Sequence, residues 1–279
     1  MNHFVYIITE GVQDVVFLTL VLRQAFGLKL IEKQSELPQE AAAWLTNFKW
    51  PVGGDIARRA VPAPSFVGGD GVFVAIRNAQ GLSNISKVMA VDDEVFLRLQ
   101  WAPSAVAVVL DADDEEPALR FAGIAKLLVQ LQWPKPERLE VIAQSSGKRA
   151  GVFSFPGAGR SGTLEDVLVP LGNRRFPELA RHADDYVTQW MTDAVRTQGA
   201  DFKLLRKPSG PKKAVLSAMV ALLKPTTGLV PSLEDQHWLP ASLNEAAELI
   251  PLLDFLTRLL EVPLVEQISN EPQPTGEPA

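Results

Sequence analysis

The sequence predicts an α/β domain: a mainly parallel central sheet flanked by helices, with a helical C-terminal part. Three observations carry that reading. Short apolar runs rich in β-branched and aromatic residues recur at Phe4–Thr9, Gly71–Arg77 and Ser104–Leu110. They are continuously apolar, as strands buried on both faces are. Stretches with apolar residues at helical spacing follow them, and such alternation at these lengths favours parallel pairing through crossover helices.

The elements follow in order. Phe4–Thr9 is a buried strand ended by Glu10-Gly11. Asp14–Phe26 carries Val15, Leu18, Val21, Leu22, Ala25 and Phe26 at helical spacing, and Gly27 is a helix stop. Residues 29–66 form an elaboration punctuated by Trp44, Trp50-Pro51, Pro62 and Pro64, with one helix near Pro38–Phe48. Gly71–Arg77 is the second strand, Asn78–Ser83 a turn and Asn84–Leu99 a helix. Ser104–Leu110 is the third buried strand and runs into Asp111-Ala112-Asp113-Asp114-Glu115-Glu116. Ala118–Leu131 is an amphipathic helix stopped by Trp133-Pro134. Leu139–Ala143 and Gly151–Phe155 are candidate strands. Beyond Gly162 the pattern is helical at Thr163–Val169, Phe176–Gln198, Lys212–Leu223 and Leu243–Leu260. Residues 1–262 thus read as one domain. The polar tail from 263 to 279, with Pro272, Pro274 and Pro278, reads as disordered.

Composition narrows the chemistry. Of 279 residues, 47% are hydrophobic and 22% charged, an ordinary globular balance with ample material for a core. With no cysteine, disulfides, thiolate metal sites and cysteine nucleophiles are excluded. His3, His182 and His237 are far apart and show no zinc-binding spacing. A net charge of −6 means that a nucleic-acid role needs a local basic patch or a bound metal. No secretory leader and no run near the roughly 20 apolar residues of a membrane helix is found. The expectation is a soluble cytoplasmic chain with no membrane partner.

Three acidic features sit where α/β folds build sites. Glu10 directly follows one buried strand, and Asp111 and Asp113 follow another. Two residues apart in extended chain, the latter pair would point to one side. Ligand sites in open α/β sheets lie beyond strand C-termini. Carboxylates converging there repel unless a cation lies between them, and Mg²⁺, with Mn²⁺ as substitute, suits hard oxygen ligands. Singly, each feature is ordinary: a Glu after a strand is usually solvated, loops are rich in Asp, and Asp114, Glu115 and Glu116 suit the first turn of a helix. Their combination, in order, at predicted strand ends is what carries weight.

The series Thr9-Glu10-Gly11-x-x-Asp14-x-x-Phe17-Leu18, then Leu110-Asp111-Ala112-Asp113, resembles the Toprim domain of topoisomerases, primases, ribosomal-RNA maturases and overcoming-lysogenization-defect (OLD) nucleases. Phe155-Pro156 followed by Ser161-Gly162-Thr163-Leu164-Glu165-Asp166-Val167-Leu168, and Pro211-Lys212-Lys213-Ala214, extend the likeness to a stand-alone bacterial Toprim-like family related to OLD-type nucleases. The resemblance implies a Toprim, Rossmann-like sheet. It implies Glu10 as general acid or base or as metal ligand, and Asp111 and Asp113 as the Mg²⁺ pair. Glu165, with Asp166 beside it, would serve a second metal. The elaboration at 29–66 is longer than a minimal Toprim core needs.

The basic residues Lys203, Arg206, Lys207, Lys212 and Lys213 cluster in one stretch. A solvated face is the bland reading and phosphate contact the functional one. Lys213 or Lys212, at a helix start, is the candidate for neutralising transition-state charge. Lys207 and Arg160 are candidate nucleic-acid contacts, and Arg174-Arg175 and Lys148-Arg149 could extend the groove. The loop Gly157–Gly162 lacks the Gly-Lys-Ser/Thr of a P-loop. The tryptophans are assigned to no site. The resemblance implies a Mg²⁺-dependent nuclease acting on DNA or RNA, with a separate ATPase as partner in two-part systems. The alternatives are a non-catalytic binding module of the same fold and a small-molecule phosphohydrolase. A topoisomerase or primase would need modules for which the chain has no room.

Overall fold

A computed structural model describes residues 3–47, 64–69, 71–113, 115–191, 202–235 and 238–265. The fold is α/β: a seven-stranded mixed sheet with helices on both faces and a mostly helical C-terminal part. The strands are β1 (His3–Thr9), β2 (Lys29–Leu30), β3 (Ser65–Gly69), β4 (Val72–Asn78), β5 (Ala105–Asp111), β6 (Ala143–Ser145) and β7 (Lys148–Phe155). Their order is β2-β3-β4-β1-β5-β7-β6. The central strands β4, β1, β5 and β7 pair in parallel. Both edges are antiparallel, β2–β3–β4 on one side and β6–β7 on the other. The parallel sheet expected from the buried runs is therefore the centre of a mixed one. β3–β4 and β6–β7 are joined by short hairpin turns, which need no crossover helix and so pair antiparallel, while β2 is added to the edge by the excursion that carries α2.

Period-two alternation divides the core between the two faces. Val5 and Ile7 of β1, with Ala105, Ala107 and Val109 of β5, face one cluster. Phe4, Tyr6 and Ile8, with Val106, Val108 and Leu110, face the other. The first cluster is covered by α1 (Val12–Phe26), α5 (Glu165–Arg175), α6 (Pro177–Trp190), α7 (Gly210–Leu223), α8 (Leu229–Asp235) and α9 (Ile250–Leu260). The second is covered by α2 (Gln39–Trp44), α3 (Ile85–Arg98) and α4 (Pro117–Gln130). No described helix is long and apolar enough to cross a membrane.

On that second face a polar network is buried in an aromatic cluster. Tyr6 Oη donates to Asp92 Oδ2 at 2.7 Å, Trp44 Nε1 donates to Oδ1 at 3.2 Å, and Arg77 Nε lies 3.4 Å from Oδ2. Burial pushes both the Tyr6 phenol and the Asp92 carboxyl upward. With its partners in place, Asp92 ties α2, α3 and β4 to β1, a structural task that accounts for one of the two tyrosines.

Differences from the sequence reading lie at the edges. Leu139–Ala143 is not a strand; pairing begins at Ala143 and turns at Ser146-Gly147, both at positive φ. The elaboration contributes β2, β3 and the short α2. The helix foreseen over Leu243–Leu260 is a 3₁₀ turn at Leu243–Glu245 followed by α9. The short helix α8 was not foreseen. Trp50, His237, Asp114, residues 192–198 and the tail from 266 lie outside the described residues.

The fit of α9 on the sheet supplies a test. A Cβ at Gly151 of β7 would stand 2.5 Å from Ile142 Cδ1 and 2.7 Å from the Phe255 ring, and Phe255 is fully buried against Phe153. Gly151→Ala is expected to lower stability by about 1–3 kcal/mol through overpacking, read as a lower denaturant midpoint at unchanged slope.

Candidate functional site

The chain leaves β1 through α1 to β4 on one side, then crosses to β5 on the other side of β1. Such a reversal opens a crevice beyond the strand C-termini. Thr9 is paired with Val109 across β1 and β5, so Glu10 and the last residues of β5 reach that crevice together. Glu10 is fixed from the loop after β4: Gly81 N donates to Glu10 O at 2.8 Å. Its carboxyl is pushed up by burial and by Asp113, against the opposing pull of Arg120.

Asp14, in the first turn of α1, is buried there as well. Its Oδ2 accepts the Gly11 N–H at 2.8 Å, one half of a capping box. Burial, with Glu10 and Glu165 nearby, pushes its carboxyl up to about 7. Asp111 ends β5, and its Oδ1 accepts the Leu164 N–H at 2.8 Å, joining the strand end to the start of α5. Burial first, then Asp14 and Glu165, push it up to about 8. Glu165 is buried in the first turn of α5; its Oε1 lies 3.7 Å from Lys213 Nζ and its Oε2 has no hydrogen-bond partner among the described residues. Glu10, Asp14, Asp111 and Glu165 thus form one electrostatic cluster.

Asp113 departs from its expected place. The strand ends at Asp111, and Asp113 takes a left-handed backbone (φ 50°) in a two-way bridge with Gly162. Asp113 N donates to Gly162 O at 2.7 Å and Gly162 N to Asp113 O at 3.0 Å. The period-two argument therefore stops before it. Its Oδ2 instead meets Arg120 Nη2 at 2.7 Å. Arg120, on α4, also donates to Glu115 Oε2 at 3.1 Å and to the Asp111 carbonyl at 2.8 Å, and it lies 4.0 Å from Glu10 Oε2. Sequence reasoning passed over Arg120 and gave Asp14 no role.

The remaining predicted residues sort by contact. Asp166 pairs with Lys212 and accepts the Thr163 N–H at 3.0 Å. This packing requires Gly162: at φ 140° its added Cβ would stand 2.7 Å from Asp166 Oδ2. Lys212 and Lys213 open α7 and face the acidic first turn of α5. Arg160 turns back on Gly157 O at 3.3 Å and is not joined to a carboxylate among the described residues. Lys207 is exposed in the loop before α7.

Among the described residues, no three His, Cys, Asp or Glu side chains already stand as a ligand set for an ion. The donor chemistry nevertheless suits a hard divalent cation. Among the described residues Glu10 Oε2 and Glu165 Oε2 are buried carboxylate oxygens with no hydrogen-bond partner, and burial, with neighbouring carboxylates, raises the proton affinity of Asp14 and Asp111.

A family profile described as "Protein of unknown function (DUF3226)" matches residues 6–261. No curated protein matches the chain. A solved structure of a hypothetical protein from Pyrococcus horikoshii OT3 is similar over 91% of this chain and 98% of that one, at 15% identity and a TM-score of 0.48.

The raised carboxyls set a pH dependence. Asp14 and Asp111 hold a proton more tightly folded than unfolded. Their contribution to stability is complete below the ordinary value of 3.8 and is lost as pH rises through about 7 and about 8. In EDTA the melting temperature is expected to fall between pH 5 and pH 8.5, and Asp111→Asn, which keeps an acceptor for Leu164, should flatten that fall. Arg120→Gln should do the opposite, removing the cation beside Glu10 and Asp113 and lowering the melting temperature most at high pH. A wild-type profile that is flat, or that rises with pH, would contradict the assigned proton affinities.

Proposed function

We propose, for a chain that belongs to the DUF3226 family, a Mg²⁺-dependent phosphodiesterase of the Toprim type, acting on nucleic acid. The observation that carries this reading is the set of largely buried, mutually repelling carboxylates beyond β1 and β5, with Asp14 raised by burial and by Glu10 and Glu165, and Asp111 by burial and by Asp14, Glu165 and Glu10. Repulsion of that kind is a cost to the fold, and a divalent cation turns it into binding energy.

Glu10, Asp14 and Asp111 are the residues that would hold Mg²⁺. Asp113 and Asp166 are already held by Arg120 and Lys212, which leaves them supporting parts. A bound Mg²⁺ supplies Lewis acidity at a phosphoryl oxygen and a more acidic water. Glu10, with its raised proton affinity and partial exposure, is suited to accept or return a proton at the reacting oxygen. Lys213, half-exposed and aimed at Glu165, would bind a non-bridging phosphate oxygen and offset charge that develops there. The absence of cysteine suits a reducing cytoplasm, where this activity would operate.

A second reading, a phosphohydrolase of small molecules, is favoured by one feature: a cavity of about 380 Å³ bordered by Glu165 and Lys213. Such a volume is within the range of small-molecule sites.

Bis(p-nitrophenyl) phosphate, plasmid DNA and structured RNA, each with Mg²⁺, Mn²⁺ or EDTA, test the reading. Hydrolysis is expected with metal only, and Asp111→Asn or Glu10→Gln should lower kcat by about 10²-fold or more. Folded wild-type protein that leaves all three substrates intact in both metals would sink it.

A further inference from the structure

Arg120 enters the acid cluster from the opposite face of the sheet to α1 and α5. It stands in the first turn of α4, which packs on the second core cluster, and its side chain is only 10% exposed. Each of its nitrogens has an acceptor. Nη2 donates to Asp113 Oδ2 at 2.7 Å, Nε to Glu115 Oε2 at 3.1 Å and Nη1 to the Asp111 carbonyl at 2.8 Å. Nη1 also lies 4.0 Å from Glu10 Oε2. The guanidinium thus spans from Glu10 to Asp113 across the end of β5, where a cation shared by these two carboxylates would stand.

Two features keep it there. The Asp111 carbonyl ties the guanidinium to the strand end itself, and the two-way backbone bridge of Asp113 with Gly162 fixes the residue that faces it. Displacing the arginine would break its bonds to Asp111, Asp113 and Glu115 together, and removing one member of a buried charge pair is strongly destabilising. The other flank differs. Lys212 and Lys213 are about half exposed on flexible stems, one against Asp166 and the other 3.7 Å from Glu165. Asp14 and Asp111 have no ion-pair partner among the described residues. An incoming divalent ion therefore meets two acids without a counter-ion, between a cation that is fixed and cations that can give way.

We propose that Arg120 is a built-in cation that holds the place of a second metal ion: the site takes one divalent ion, at Asp14 and Asp111 with Glu10 at its edge, and Asp113 serves the arginine instead of an ion. The proposal rests on the divalent-cation reading of the acid cluster, but not on hydrolysis. In two-metal sites the ions stand about 3.5–4 Å apart and clamp both the attacking and the leaving oxygen of the phosphate. A guanidinium in the second position neutralises Glu10 and Asp113 but carries no ligand water and opens no coordination position. Arg120 is thereby a positioning residue: it sets how many ions the acids hold and keeps Asp113 turned away from them. Within the phosphodiesterase reading, Lys213 on the opposite flank is then the cation left for charge on the phosphate.

The test is titration of the full chain with Mn²⁺ followed by electron paramagnetic resonance, which counts bound ions and shows spin coupling when two of them lie about 4 Å apart. Wild type should hold one Mn²⁺ per chain with no coupled signal. Arg120→Met removes the charge and keeps an unbranched side chain; the folded variant should hold two, with coupling. Asp113→Asn should keep the single ion and lose less affinity than Asp111→Asn, which should weaken binding by about tenfold or more. Two coupled ions in wild type, one ion in folded Arg120→Met, or an Asp113→Asn loss equal to that of Asp111→Asn overturns the proposal. If Arg120→Met does not fold, wild type and Asp113→Asn still decide. Wild type that binds no Mn²⁺ removes the cation site and this proposal with it. One bound ion without hydrolysis of any phosphodiester would retain the role of Arg120 and remove the phosphodiesterase; hydrolysis with two coupled ions would do the reverse.

Discussion

Like charges held together out of water are the constraint around which this end of the molecule is organised. Glu10, Asp14, Asp111 and Glu165 each act electrostatically on others of the set. In water such repulsion is slight, but partial burial lowers the effective dielectric and magnifies it several-fold. The fold opposes it from three directions. Arg120 reaches in from α4, Lys212 and Lys213 from α7, and the first turns of α1 and α5 bring backbone N–H groups. Helix N-termini carry partial positive charge and stabilise carboxylates in their first turn. The elements that meet here are distant in sequence, so the acids and their counter-charges also hold the two halves of the chain in register at this edge.

The sheet makes that arrangement possible. β1 and β5 are buried on both faces and pair in parallel, so their C-terminal ends come out at one level. The same parallel pairing places Phe155, the end of β7, beside Asp111, and the turn that follows brings Gly162 onto Asp113 and Leu164 onto Asp111. The position of α5 is thus determined by hydrogen bonds to the acids as well as by the apolar contacts of Val167, Leu168 and Leu171. α7 then packs on α5 and α6 and delivers its lysines. Function and packing are not separable at this edge, since the carboxylates that would bind a cation also anchor the backbone around them.

How much of this was legible in the sequence depended on how local its cause was. β1, β4, β5 and the helices α1, α3 and α4 announce themselves through continuous apolar runs or helical periodicity, both short-range signals. The edge strands do not. β2 is two residues long, β3 ends in Gly68-Gly69, and their pairing comes from β4, not from their own composition. The β6–β7 hairpin did carry a signal, the Ser146-Gly147 pair at its turn, which the apolar run before it obscured. Glu10 and Asp111 could be chosen because each stands at the end of a buried strand, and Glu165 because the segment around it resembles the Toprim-like family. Asp14 could not be given its weight: a polar residue one turn into a helix reads as solvated, and its burial comes from the elements assembled around it. Arg120 suffers from the same limit, being an ordinary surface charge by helical position and a partly buried counter-ion by tertiary structure. The different orientation of Asp113 has another origin. Strand alternation holds only to Asp111, where β5 ends, and two residues later, at Asp113, the backbone is left-handed.

The distribution of counter-charge sorts the acids by what they are still able to do. Asp113 and Glu115 share Arg120, and Asp166 has Lys212. A planar guanidinium fixed by several acceptors is a poor competitor for new ligands, because moving it would strand each partner in turn. Among the described residues neither Asp14 nor Asp111 has an ion-pair partner, and these two are displaced furthest toward the protonated form. An added cation therefore gains most between them, with Glu10 on the Arg120 side and Glu165 on the Lys213 side. That order also gives the site a direction. On one flank Arg120, held by Asp113 and Glu115, lies 4.0 Å from Glu10; on the other, the half-exposed Lys213 lies 3.7 Å from Glu165, and both border the cavity there.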